Sequence, residues 1–248
     1  MSPASKPKAS RREAHSLARA KELVQRVVGE RHDRPSLVSD IACAIGAEII
    51  EGLLAPGADL NSVELSKRYQ TSRTPVREAL MLLEKEGMVD IPPRRRPRVM
   101  ALSLPEIREI YRARAALFEL IAEDVVRHVD EAGLTGLAAA LQEMEGAYRK
   151  GDSSAFVWAN LDFYDRSCQL SRNRTVKRMM DSLLLRTACL RKLSLSQPGR
   201  MASSFDDHTR LLRAYRERDA LLAAALIRSN HMNALRALET HYRRQQDI

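Results

Sequence analysis

The 248-residue sequence predicts a mainly α-helical protein, with a small N-terminal part that contains one short β-hairpin and a larger all-helical C-terminal part. Three observations lead to this prediction. Apolar residues recur with helical spacing through most of the chain, strand-like runs are confined to one place, and helix-capping residues precede successive apolar stretches. The apolar fraction of 44% is enough for hydrophobic cores, which excludes a disordered chain.

Residues 1–34 are predicted to form a basic, partly disordered extension, with disorder over the first dozen residues and a helical patch from Ser16 to Val28. Such an arm either adds non-specific phosphate contacts or is an ordinary run of solvated charge. Residues 36–51 follow as an amphipathic helix that ends at Gly52. This helix opens a predicted domain over residues 35–101.

Two short helices joined by a tight turn come next in that domain. Asn61 is predicted to cap the first helix, with Glu64 at the third helical position. The second helix starts near Ser72 and exposes hydroxyl and basic side chains at its N-terminus. Its other face carries apolar residues at i, i+3, i+4 and i+7: Val76, Ala79, Leu80 and Leu83. This is the helix-turn-helix arrangement, whose second helix enters the major groove of DNA.

A two-stranded wing is predicted after these helices. The runs 89–91 and 98–100 are strand-like, and they flank the sequence Pro-Pro-Arg-Arg-Arg-Pro at residues 92–97. The pair completes a winged helix-turn-helix of three helices and a small sheet.

Residues 61–87 resemble the winged-helix domain of GntR-type bacterial transcription regulators. The resemblance rests on the block Ser72–Leu80, on Leu65 and on the Leu-Glu-x-Glu-Gly ending at residues 83–87. It implies DNA contacts by recognition-helix, neighbouring-helix and wing residues: Ser72, Arg73, Thr74, Arg77, Lys67, Arg94 and Arg95. For Arg73 and Arg77, the alternative is a solubilising surface pair. The wing of this family usually has glycine at its turn. The arginines at this place in the present chain suggest stronger binding to phosphates.

A second domain is predicted over residues 102–248. Ser103 and Glu106 form a capping box with a proline in the first turn, so a helix starts there and runs toward His128. Further breaks are predicted at Gly133 and at residues 151–152, 171–174, 197–199 and 218–219. The result is an antiparallel bundle of about six helices.

This half of the chain resembles the FCD group of GntR regulators, with Asn160 to Phe163 and His208 among its landmarks. The resemblance implies a bundle that binds a small effector, commonly an organic acid, and that mediates a homodimer. Many members of the group also hold a divalent metal ion through one Asp or Asn and three His.

The metal site of that group is predicted to be lost or degraded in this chain, so no cofactor is expected. The four matching positions carry Asn160, Tyr164, His208 and Asn230, and His231 lies one place beyond the last. Amides and un-ionised phenols are poor metal ligands. Only His208 and His231 remain as candidates, the latter through a local bulge. An ordinary core histidine is the alternative for His208.

An anionic effector would then be held directly by side chains. Arg114 matches a family position on the first bundle helix and can grip a carboxylate through paired N–H donors. An ion pair is the alternative for this arginine. The remaining predicted effector contacts are Asn160, Tyr164, His208 and Asn230.

Composition favours duplex DNA as the polyanionic partner. The net charge is +9, and only 4% of residues are Phe, Trp or Tyr, too few for platforms that stack single-stranded bases. The three cysteines have no metal-ligand spacing and suggest a reducing cytoplasm. Neither a membrane-spanning segment nor a secretory signal is recognisable, so no membrane partner is expected.

These features predict a cytoplasmic, homodimeric, sequence-specific transcription regulator that binds operator DNA and responds to a small organic acid or related metabolite. Relief of repression is the expected mode. Two alternatives remain open: a non-specific architectural DNA-binding protein, and an enzyme acting on a small acid. The enzyme alternative lacks recognisable catalytic motifs.

Overall fold

The computed structural model describes residues 11–29 and 36–246, so the disorder predicted for the first dozen residues lies largely outside the described residues. The described residues form two compact units, one comprising residues 11–29, 36–85 and 89–99, the other residues 86–88 and 100–246. The elements follow this order: α1 Arg11–Gly29, α2 Leu37–Glu51, α3 Ser62–Arg68, α4 Arg73–Lys85, β1 Val89–Asp90, β2 Arg98–Val99, α5 Leu104–His128, α6 Glu131–Arg149, α7 Ser153–Leu170, α8 Arg174–Leu195, α9 Arg200–Arg216 and α10 Ala220–Gln246.

Helix α1 packs against α2 in the N-terminal unit. Val24 is fully buried there, and Gly46 on α2 allows the close approach: a β-carbon at this position would lie 3.0 Å from a Val24 methyl group. The predicted helical patch is therefore part of a longer helix with its own buried face. It adds a fourth helix to the three expected for the winged domain.

The recognition helix α4 rests on α2 through the apolar face that its periodicity predicted. Val76, Ala79, Leu80 and Leu83 are all fully buried. Helix α2 is capped by Ser36, and it ends at Gly52, whose φ of 76° lets its N–H reach the carbonyls of Glu48 and Ile49. These contacts hold α4 with its basic face outward.

The wing is a two-stranded antiparallel sheet in which Val89 pairs with Val99 and Asp90 with Arg98. A third segment lies along the outer edge of β2. Asp59 forms a bridge with Arg98, and the backbone N–H of Leu60 donates to the carbonyl of Pro97 at 2.7 Å. The wing is thereby tied to the segment that leads into α3.

Six helices, α5 to α10, build the C-terminal unit, and the mainly helical fold predicted from the sequence is confirmed. Helix α5 packs along α10, and α6 packs along α7. The predicted capping box is present, with Ser103 and Glu106 each bonded to the other's backbone N–H. Among the described helices, none has the length and apolar character needed to cross a membrane.

One predicted helix boundary, at Gly133, is wrong. Helix α5 ends at His128, and Asp130 caps α6 by accepting from the N–H of Gly133 at 2.8 Å. Gly133 therefore lies in the first turn of α6, where a capping carboxylate outweighs the low helix propensity of glycine. A β-carbon at Gly133 would lie 2.6 Å from a Leu170 methyl group, so a larger residue there would require the Leu170 side chain to shift.

Candidate functional site

The turn between α3 and α4 presents the N-terminus of the recognition helix. Asn61 caps α3 by accepting from the N–H of Val63, and its amide donates to Glu64 at 3.0 Å. Gln70 then adopts a φ of 50°, and the N–H of Thr71 reaches the carbonyl of Ser66 at 3.0 Å. This left-handed residue reverses the chain within a few residues, as glycine often does at helix C-termini.

The predicted DNA-contacting side chains are all exposed: Lys67, Ser72, Arg73, Thr74, Arg77, Arg94 and Arg95. Within the described part of the chain, the cations among them have no carboxylate within 4 Å, whereas Arg68 pairs with Glu48, Arg96 with Asp59 and Arg98 with Asp90. Neighbouring basic residues thus divide into two groups. One group is paired with carboxylates of the same domain, and the other is available to phosphates and base edges.

The wing tip is a tight turn over residues 92–95. The N–H of Arg95 donates to the carbonyl of Pro92 at 3.2 Å, Pro93 occupies the second position, and Arg94 has a φ of 61° at the third. Proline followed by a positive φ is the pattern of a type II turn, in which glycine is usual at the third position. An arginine therefore takes a strained backbone conformation in the exposed turn of the wing.

A cavity lies inside the C-terminal unit, among α5, α7, α8, α9 and α10. The empty space between its lining residues is about 320 Å³, a figure that includes open solvent at the mouth. The side chains that line it are mostly polar: Tyr111, Arg114, Asn160, Tyr164, Arg191, Ser194, Leu195, Arg200, Ser204, Asn230, His231 and Ala234.

Three buried arginines converge on this cavity. Arg114, Arg191 and Arg200 are only 3%, 8% and 8% exposed. Among the described residues, none of the three forms an ion pair with a carboxylate. Burial lowers the pKa of Arg191 to about 10, and the positive charge of Arg114 adds to this effect. All three stay protonated at neutral pH, so the cavity concentrates positive charge.

Helices α7, α8 and α9 are linked by hydrogen bonds behind the cavity wall. Arg191 donates to the Asn160 amide oxygen at 2.6 Å, and the Asn160 amide nitrogen lies 3.2 Å from Nε2 of His208. The other ring nitrogen, Nδ1, lies 2.6 Å from the carbonyl of Ser204 and must carry the proton. Burial lowers the pKa of His208 to about 4, so the ring is neutral.

A second set of hydrogen bonds joins α7 to α10 and α9. The Tyr164 hydroxyl donates to the Asn230 side-chain oxygen at 3.0 Å, and the Asn230 amide donates to Asp207 at 2.9 Å. Burial raises the pKa of Tyr164 to about 12, so its phenol stays protonated. The guanidinium of Arg191 lies 4.7 Å from the centre of the Tyr164 ring, which favours a cation–π contact.

Residues 109–234, just over half of the chain, match the FCD domain, and residues 37–99 match the bacterial regulatory proteins of the gntR family. The chain belongs to the GntR family. Its resemblance to GntR regulators of the FCD group is confirmed. Because the family and its named members are transcription regulators, the enzyme alternative is excluded.

Named GntR relatives cover most of the chain. The HTH-type transcriptional regulator YdhC of Bacillus subtilis is 28% identical over 172 residues, which span 69% of this chain and 77% of that protein. The gluconate operon transcriptional repressor of the same organism is 25% identical over 207 residues, 78% of this chain and 80% of that protein. Among solved structures, Escherichia coli McbR/YncC shares the fold with a TM-score of 0.71 at 22% identity, covering 84% of this chain and 100% of its own.

The metal ion that many FCD proteins hold does not fit the residues of this GntR regulator. The only ligating atom of Asn160 accepts a hydrogen bond from Arg191, and His208 accepts one from the Asn160 amide. Among the residues described, no three His, Cys, Asp or Glu side chains are placed to hold a metal ion. A guanidinium bonded to the amide oxygen also repels a cation.

The structure brings four of the five predicted effector residues to the cavity surface, namely Arg114, Asn160, Tyr164 and Asn230. The fifth, His208, lies behind Asn160 and orients it. This position corresponds to the alternative interpretation of His208 as a core histidine. His231 also lines the cavity, and its Nδ1 is 2.8 Å from the carbonyl of Ile227.

Sequence reasoning missed two of the three cavity arginines. Arg191 and Arg200 belong to helices rich in surface arginines, and nothing in the local pattern of Arg200 separates it from solvated neighbours. For Arg191 one signal was present: it follows Leu190 and precedes Leu195 on the buried face of α8, where a charge is unusual.

Proposed function

We propose that this GntR regulator is a cytoplasmic, homodimeric repressor whose affinity for operator DNA is lowered by a small organic anion bound in the C-terminal cavity. One observation carries the proposal: three buried arginines, without carboxylate partners among the described residues, line one cavity. Desolvating a charge is costly unless an opposite charge compensates it. A bound anion supplies the negative charge that compensates the buried arginines, so its binding is favourable.

The repressor role is supported by relatives. The gluconate operon repressors of Bacillus subtilis and Bacillus licheniformis are 25% and 28% identical to this chain. Gluconate is an organic acid, the ligand class that an arginine-lined cavity suits. Arg114 is the predicted principal contact, with Asn160, Tyr164 and Asn230 shaping the polar wall.

Selection of binding sites from a random duplex library tests the DNA-binding part of the proposal. We expect the selected duplex to bind at least about 10³-fold tighter than a scrambled duplex at the same salt concentration. Equal affinities would contradict sequence-specific regulation and favour the architectural alternative. The selected site is also expected to be two-fold symmetric, because a homodimer reads two half-sites.

The effector part is tested by titrating a panel of organic acids into the complex with the selected duplex. At least one acid is expected to weaken DNA binding, and Arg114→Gln should raise the concentration needed by tenfold or more. Arg210→Gln, an exposed residue on α9, serves as the charge-matched control. A panel without any effect on the complex, or an Arg114→Gln variant that responds like the wild type, would contradict the proposal.

A further inference from the structure

Two of the three cavity arginines and one serine leave specific donors unused, and these donors lie on two helices. The Nε atoms of Arg114 on α5 and Arg200 on α9 are buried without hydrogen-bond partners, and so is the hydroxyl of Ser204 on α9. All three side chains line the same cavity. Buried polar atoms in native proteins are rarely left unsatisfied, so three in one cavity indicate a missing acceptor.

Each arginine is also positioned by contacts that leave part of its guanidinium free. Arg114 donates to Thr187 and lies 5.7 Å from the Tyr111 ring centre. Arg200 donates from one Nη atom to Ser203 at 3.3 Å. Both side chains are thereby ordered before any ligand binds, which lowers the entropic cost of binding. Preorganised donors on separate helices can hold two separate acidic groups.

A count of charges around the cavity gives a surplus of two positive charges. Arg114, Arg191 and Arg200 supply three positive charges, and Asp207, bonded to the cavity residue Asn230, supplies one negative charge. Burial keeps His231 and Tyr164 neutral. A ligand with a single negative charge would leave one buried cation uncompensated, at a cost that depends strongly on the local dielectric.

We propose that the effector is a dianion, with one acidic group bound by Arg114 on α5 and the other by Arg200 and Ser204 on α9. This assignment rests on the proposed function. Arg191 keeps its bond to Asn160 and contributes charge between α7 and α8. A small dicarboxylate has the required chemistry, whereas a phosphate group carries its two charges on a single acidic group and serves as the comparison in the test. A dicarboxylate connects helices that a single carboxylate leaves unlinked.

Isothermal titration calorimetry on the full-length protein distinguishes dianions from monoanions. The dianions are malonate, succinate, glutarate and inorganic phosphate, and the monoanions are gluconate and the monomethyl esters of the three dicarboxylates. Ionic strength is held constant, because screening weakens all charge interactions. We expect at least one dianion to bind tenfold or more tighter than its monoanionic counterpart. Tighter binding of inorganic phosphate than of every dicarboxylate would contradict the assignment of two separate acidic groups.

Two results would overturn the dianion assignment. If monoanions bind as tightly as dianions, the dianion assignment is wrong, although the effector can still be an organic acid. If no dianion binds, the dianion assignment is also wrong. The response of the DNA complex to the wider panel of acids then decides separately whether the proposed function is correct. Stoichiometric retention of a divalent metal after dialysis would contradict both the metal-free cavity and the dianion.

Variants of Arg200 test the assignment of the second acidic group. Arg200→Gln should reduce the preference for the dianion to less than threefold, and Arg200→Lys should retain part of it because the charge remains. Arg210→Gln, exposed on the same helix, should keep the full preference. Fluorescence of Trp158, the single tryptophan, reports whether the bundle is folded. A folded Arg200→Gln or Arg200→Lys variant with an unchanged preference would disprove the role of Arg200.

Discussion

His208 illustrates how the burial of one residue makes the stability of a fold depend on pH. Its imidazole is 1% exposed and is held neutral between Asn160 and the Ser204 carbonyl. The pKa falls to about 4 in the fold, against about 6.5 for an unperturbed histidine. The unfolded chain therefore binds a proton that the folded chain rejects. The stabilising contribution of the neutral ring is present above the unfolded pKa and is lost as the pH falls toward the folded one.

We therefore expect the C-terminal unit to lose stability between pH of about 6.5 and about 4, with His208 contributing on the order of 3 kcal/mol of the free energy of unfolding. Urea unfolding followed by Trp158 fluorescence measures this loss. His208→Gln should show a smaller change over that range, and His15→Gln, on the exposed face of α1, should match the wild type. The same acid sensitivity in His208→Gln would contradict this account.

Arg94 is a second residue of interest, because its local backbone conformation lowers the stability of the N-terminal unit by a measurable amount. Its φ of 61° at the wing tip strains any side chain other than glycine. Arg94→Gly should therefore make the N-terminal unit about 1 kcal/mol more stable than Arg94→Ala, by calorimetry. Both variants lose the same charge, so both should weaken DNA binding to a similar extent on every duplex. Equal stability of the two variants would show that the turn relaxes without glycine.

At the level of elements, the recognition helix and the wing are expected to contribute differently to DNA binding. Arg73 lies in the first turn of α4, the part of such a helix that reaches base edges. Arg95 lies on the wing, where the expected partner is a phosphate. The first contact depends on sequence and the second on charge alone.

Arg73→Ala is therefore expected to cost about 1–3 kcal/mol on the selected duplex and little on a scrambled one. Arg95→Ala should weaken both and reduce the slope of log Kobs against log salt by about 1.8, because each protomer of the proposed homodimer loses one phosphate contact worth about 0.9. Fluorescence anisotropy over a salt series measures both quantities. Equal losses on cognate and scrambled duplexes for Arg73→Ala would remove it from the recognition surface.

At the level of the whole molecule, effector and operator must influence each other equally. If a saturating anion lowers operator affinity by a given factor, saturating operator lowers anion affinity by the same factor. Calorimetry of the best-binding anion, with and without duplex, is expected to reproduce the factor found from DNA titrations. Independent anion affinities in the two conditions would show that the cavity is not coupled to DNA binding.

Much of this architecture could be predicted from local patterns. The apolar spacing of α4, the capping box at Ser103 and the strand-like runs around the prolines depend on neighbours within a few residues, and all three are present in the fold. The predicted helix boundary at Gly133 is wrong because Asp130 caps α6 three residues earlier. Local signals compete, and the stronger cap decides where a helix begins.

The cavity depends on residues far apart in the sequence, and only the packing of five helices brings them together. Arg114, Arg191 and Arg200 lie on α5, α8 and α9, and their burial is invisible in a sequence that contains many solvated arginines. The same limit applies to the exposed basic residues, since Arg68 and Arg96 resemble Arg73 and Arg94 until their carboxylate partners are known. Periodicity sets which face of a helix is buried, whereas the charges and donors that share one cavity follow from tertiary packing, because long-range contacts leave no periodic signal in the chain.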